Sequence, residues 1–164
     1  MPSVEPGLDF VRKVKESTEV TRTVSVTISE FSKEIDDLDN KKEAIEGPKF
    51  KVGEREFSIN IYPEDSDYNP SIGVYLNNQS KEKIKASYIF NHESGVKVNF
   101  TNQEIDVGHD YGEDEFLSHV DYKKWAEDHG DVFRVEAEIT LHVDEAEWET
   151  IPRNRYVLFF FYFF

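Results

Sequence analysis

The amino-acid sequence predicts an all-β protein: an antiparallel sandwich of about seven or eight strands with one short helix. Three observations carry that prediction. Apolar side chains recur at every second position in one segment after another, as in Phe57, Ile59, Ile61 and again in Phe133, Val135, Ala137, Ile139, Leu141, Val143. Clusters of Gly, Pro, Asn and Asp separate those segments about every 8–12 residues. The one helical signature is short and lies after Ser118.

The elements follow in order. Residues 1–21 are polar and carry Pro2, Pro6 and Gly7, which predicts a flexible arm, with at most a helical turn around Phe10, Val11 and Val14. Val24, Val26 and Ile28 alternate with Ser and Thr, a strand. Residues 33–47 are dense in charge and read as a solvated loop, with Ile35 and Leu38 able to anchor a turn. Phe50 and Val52, then Gly53-Glu54-Arg55, then Phe57, Ile59 and Ile61 make a hairpin whose Gly supplies a positive φ. Pro63 ends the second strand, since it cannot donate to a ladder. After the turn 64–70, Ile72, Val74 and Leu76 share one parity. Ile84, Ala86, Tyr88 and Phe90 then pair as a second hairpin with Val96, Val98 and Phe100. Residues 104–115 form an acidic stretch. Asp121 is a plausible N-cap for a one- or two-turn helix carrying Tyr122 and Trp125. The last strand is 132–143.

The run Tyr156–Phe164 ends the tail 146–164. It is too short for a membrane span, which needs about 20 apolar residues. A docked strand or plug, the start of a longer apolar segment, and translated pyrimidine-rich DNA are all compatible with it.

Composition narrows function. The chain has 164 residues and a net charge of −15, which repels nucleic-acid phosphates and anionic membranes and favours cationic partners. It has no Cys, so disulfides, thiolate metal sites and a Cys nucleophile are excluded. No apolar leader opens the sequence, so a cytoplasmic or nuclear protein is expected. The stretch contains no H-E-x-x-H, G-x-S-x-G or P-loop pattern, so no enzyme, cofactor or metal is expected. The acidic stretch around His109 leaves one alternative, a divalent-cation-binding or catalytic β-sandwich, although EF-hand spacing is absent.

Several spaced motifs over residues 22–143 resemble the MATH (meprin and TRAF homology), or TRAF-like, domains. Phe50 to Pro63 resembles the family's central hairpin. Ile28-Ser29-Glu30-Phe31-Ser32 resembles its first strand, W-x-I-x-x-F-S, with Val26 in place of the Trp. Ser71–Leu76 resembles Y-L-S-L-Y-L, and Asp131 stands where the family closes with D-D-x-L-x-I. Gly108-His109-Asp110-Tyr111-Gly112-Glu113 resembles the loop G-x-D-W-G-F, with Tyr for Trp and Glu for the final aromatic. The resemblance implies a peptide groove across one sheet, lined by Asn60, Ser71, Tyr88, Gln103, Asp110, Tyr111, Gly112 and Glu113. It implies a protein-interaction module for short extended peptides, in substrate recognition for ubiquitin ligases or in TRAF-like adaptor signalling. Glu104 through Tyr122 contains no Lys or Arg, so basic or Ser/Thr-rich peptides would suit such a groove.

Overall fold

The computed structural model describes residues 10–37, 43–65 and 69–151, with side chains from Glu19 to Val143. The elements are β1 (Phe10–Ser29), α1 (Phe31–Asp36), β2 (Ile45–Glu46), β3 (Phe50–Val52), β4 (Arg55–Tyr62), β5 (Ser71–Asn78), β6 (Ile84–His92), β7 (Lys97–Ile105), β8 (Asp110–Ser118), α2 (His119–His129) and β9 (Val132–Ile151). One sheet has the order β1-β9-β6-β7 and the other β2-β4-β5-β8, with β3 paired to β4. The protein is an all-β antiparallel sandwich.

The chain divides into two compact units, residues 19–142 and residues 1–18 with 143–164. The described part of the chain-end unit is extended strand, the outer parts of β1 and β9. The unit 19–142 holds the core. Its facing surfaces bury Phe57, Ile59 and Ile61 of β4, Ile72, Val74 and Leu76 of β5, Ala86, Tyr88 and Phe90 of β6, and alternate residues of β9 from Phe133 to Leu141. Each set is the period-two set of its strand, so side-chain spacing decided which face turned inward.

Four expectations differ from what is observed. β1 starts at Phe10, where a loose arm was expected; β1 neighbours the long β9, and backbone pairing extends it beyond the alternating apolar positions. The charged segment after Ser29 opens with α1, because Phe31 and Ile35, four apart, are both buried. The acidic stretch contains a strand, β8, paired to β5 over Asp110–Ser118. The later helix is longer than expected and its cap is Ser118, whose hydroxyl accepts the Asp121 N–H at 3.1 Å. Asp121 thus sits in the first turn, and Ser118-x-x-Asp121 is the capping pattern. The run Tyr156–Phe164 lies outside the described residues.

One end of the sandwich is tied by Asp131. Its carboxylate accepts from the Ser32 N–H at 3.0 Å, the Ser32 hydroxyl at 3.0 Å and the Tyr122 hydroxyl at 2.8 Å. Its carbonyl accepts from the Glu30 N–H at 2.7 Å. Phe31 stacks on Phe133, with centroids 4.8 Å apart, and meets Tyr122 edge-on at 5.5 Å. α1, α2 and the start of β9 are held as one block by these contacts.

Candidate functional site

Residues opposite one another on antiparallel strands share a face. Asn60 is opposite Tyr75, Tyr62 opposite Gly73, Tyr75 opposite Gly112 and Asn77 opposite Asp110. This is the parity opposite to the core set, so Asn60, Tyr62, Tyr75, Asn77 and Asp110 share the polar face of the five-stranded sheet.

Asp110 is the hub of that face. Its Oδ2 accepts from Asn60 Nδ2 at 3.0 Å and from the Tyr62 hydroxyl at 3.1 Å. The Tyr75 hydroxyl donates to Asp65 Oδ2 at 2.6 Å, and the Tyr62 and Tyr75 rings meet edge to face at 5.1 Å. Two glycines make room. A Cβ on Gly73 would overlap the Asp65 carboxylate, and one on Gly112 would overlap the Val74 carbonyl oxygen.

Burial, then the neighbouring Asp110 carboxylate, push the Tyr62 hydroxyl up to about 12. Burial also raises Tyr75, reinforced by its hydrogen bond to Asp65. The Asp65 carboxyl is itself raised by burial, against the hydrogen bond from Tyr75 and with Asp114 and Asp110 adding to the rise. Because a carboxylate can only accept, Asn60 must direct its amide nitrogen at Asp110, which turns Oδ1 away. Asn60 Oδ1 and Asn77 Oδ1 are both buried acceptors without a hydrogen-bond partner. The face therefore carries acceptors in excess of donors.

Tyr111 and Glu113 have the other parity and turn to the rim between β7 and β8. Tyr111 is 45% exposed, one of few large apolar side chains to be so among the described residues. Its ring sits edge-on to Phe100 at 5.6 Å, and its carbonyl accepts the Tyr88 hydroxyl at 2.9 Å. The Glu113 carboxylate accepts the Glu115 N–H at 3.3 Å.

The residues expected to line a groove are thus distributed. Asn60 and Asp110 are brought into contact, with the Gly112 backbone beside them. Tyr111 and Glu113 lie on the rim. Segment 110–113 is strand rather than loop, and strand alternation splits it between these two surfaces. Tyr88 is only 1% exposed and supports Tyr111 from within the core, so its ring is out of reach of a surface ligand. Ser71, also 1% exposed, lies at the far end of β5 opposite Ser118 and donates to the Asn69 carbonyl at 2.8 Å. Gln103 is on β7 opposite Ala86, its amide donating to the Thr101 carbonyl at 3.3 Å. Tyr62, Asp65 and Tyr75 were not singled out from the sequence. For the two tyrosines the signal was the outward parity of β4 and β5. Among the described residues, no group of three or more His, Asp or Glu is placed to hold a metal ion.

No protein-family model and no curated protein matches the chain. Among the described residues, no helix is long and apolar enough to cross a membrane.

Proposed function

We propose that the sandwich is a protein-interaction module that takes a short, extended, basic segment of a partner protein along β8. The observation that carries the reading is the set of solvent-reachable carboxylates on β8, Asp110, Glu113, Asp114 and Glu115, on the same strand as the exposed Tyr111 ring. Carboxylates only accept, so they favour a ligand that brings N–H groups, and Lys and Arg side chains bring charge as well. β8 ends its sheet in the strand order, which suits the addition of an extended peptide. The resemblance to MATH domains extends the reading to substrate recognition or adaptor work in ubiquitin-ligase or TRAF-like signalling, in the cytoplasm or nucleus.

A screen of short peptides bearing Lys or Arg among small polar residues tests this. Binding should weaken as salt rises. Tyr111→Ala should lower affinity about tenfold, the loss expected for an aromatic anchor, and leave the melting temperature unchanged. Binders indifferent to that substitution would refute the placement on β8.

A further inference from the structure

On the outer face of the other sheet, three side chains from three strands form one hydrogen-bonded chain. Ser87 Oγ of β6 is 2.9 Å from His142 Nε2 of β9. His142 Nδ1 is 3.1 Å from Glu19 Oε2 of β1. The order β1-β9-β6 places the residues in that sequence across the sheet. A carboxylate only accepts, so the neutral imidazole carries its proton on Nδ1, and the bare Nε2 accepts the Ser87 O–H. That is the protonation pattern of a nucleophile, a base and an orienting carboxylate.

The fourth strand completes the arrangement. The β6–β7 register slips between Ala86 and Tyr88, and within the bulge Asn102 adopts φ 52. The bulge aims the Asn102 N–H at Ser87 Oγ, 2.9 Å away. Beside Ser87 lies a hollow of about 150 Å³, lined among others by Tyr88, Phe100, Thr101, Glu138 and Thr140. His142 is 18% exposed and its contact with Ser87 is partly buried, whereas Glu19 is 60% exposed and its influence is weaker.

We propose that Ser87 is the nucleophile of an acyl-transfer site for small acyl esters, with His142 as general base and Glu19 as a positioning residue. Ser87 Oγ bonds to the acyl carbon and its proton passes to His142 Nε2. The ester C–O bond breaks, and the alcohol leaves with that proton. Water, activated by the same imidazole, then hydrolyses the acyl-serine and restores the hydroxyl. The Asn102 N–H, which donates to Oγ in the resting site, has to turn from it to donate to the developing oxyanion. A single such donor is worth about 10²–10³ in rate, so turnover is slow.

A fluorophosphonate reports on the first step alone. The Oγ–P bond forms, the P–F bond breaks, fluoride leaves and the proton goes to His142. Intact-mass and peptide-mapping measurements should place one phosphonyl group on Ser87, and p-nitrophenyl acetate should acetylate the same residue. Ser87→Ala should abolish both labels. His142→Gln keeps a hydrogen-bonding partner for Ser87 but no base, and should slow labelling about 100-fold, the scale of general-base catalysis. Glu19→Gln, at an exposed position that tolerates exchange, should slow it about tenfold, less than loss of the base itself. Absence of label on Ser87, or equal rates in wild type and His142→Gln, would overturn the proposal, with melting temperatures confirming that each variant is folded.

Discussion

Asp131 and Asp110 are built from the same parts and do opposite things. Each is an aspartate that accepts a tyrosine hydroxyl. At Asp131 the other donors are the Ser32 N–H and hydroxyl, and the aromatic rings of Phe31, Tyr122 and Phe133 close over the cluster. At Asp110 the other donor is an amide whose own oxygen has no partner. Donors match acceptors around Asp131, and the result is a clamp. Acceptors outnumber donors around Asp110, and the result is a polar face with unmet acceptors. The balance of donors and acceptors separates the two carboxylates, because burial converts any imbalance into free energy.

The largest expected effect tests the clamp. Asp131→Ala strands the Tyr122 hydroxyl and both Ser32 donors at once. Leaving such donors unsatisfied costs about 3 kcal/mol, read as a lower midpoint in urea denaturation. A cost below about 1 kcal/mol, the net value of one ordinary hydrogen bond, would mean that aromatic packing alone holds this end.

The same end contains a titratable core residue. His92 is buried, stacked on Phe133 at 5.3 Å and set against the Trp125 ring at 4.7 Å. The Ser94 N–H donates to Nδ1 at 3.0 Å, which puts the proton on Nε2, and Nε2 has no hydrogen-bond partner. Burial lowers its pKa from 6.5, opposed by Glu93. The folded form therefore resists protonation that the unfolded chain accepts. Stability from this group is complete above pH 6.5 and declines as pH falls from there toward the folded value. Urea midpoints across that window should show the decline in wild type and a flatter profile in His92→Phe. No difference between the two profiles would show that His92 is not the group responsible.

How much of this was legible beforehand depended on whether a strand's apolar face is also its buried face. β4, β5, β6 and β9 are central strands, and Phe57-x-Ile59-x-Ile61 or Phe133-x-Val135-x-Ala137 announce them directly. β8 ends its sheet, and Tyr111-Gly112-Glu113-Asp114-Glu115 has no apolar alternation. It is a strand because its backbone pairs with β5, at a closeness that only Gly112 permits. Four of the eight family-derived site residues, Asp110 to Glu113, came from that stretch read as a loop, so its alternation, which parts Asp110 from Tyr111, was hidden. Ser87, His142 and Glu19 are far apart in the chain, and only strand order brings them together. The Ser118 cap, by contrast, was available as a short pattern before an apolar residue.

The smallest effect is the most selective test of the comparison. Asp110→Asn keeps an oxygen that can accept the Tyr62 hydroxyl but removes the charge. Fold stability at neutral pH should hardly change, in contrast to Asp131→Ala. The Tyr62 hydroxyl stands at about 12 because of burial first and the Asp110 charge second, so the variant should titrate lower, still above 10 on account of burial. Its sign on stability follows. A raised tyrosine pKa gives stability that is complete below pH 10 and lost as pH climbs through the folded value, so the variant should lose less over that range. Ultraviolet titration of tyrosinate, compared between wild type and the variant, reads the shift. In parallel, affinity for a basic peptide should fall about two- to fivefold, the worth of one partly exposed ion pair. A variant that unfolds at neutral pH would place Asp110 beside Asp131 as a second clamp. A variant that titrates, folds and binds as wild type does would remove Asp110 from the ligand surface and leave Tyr111 as its sole anchor.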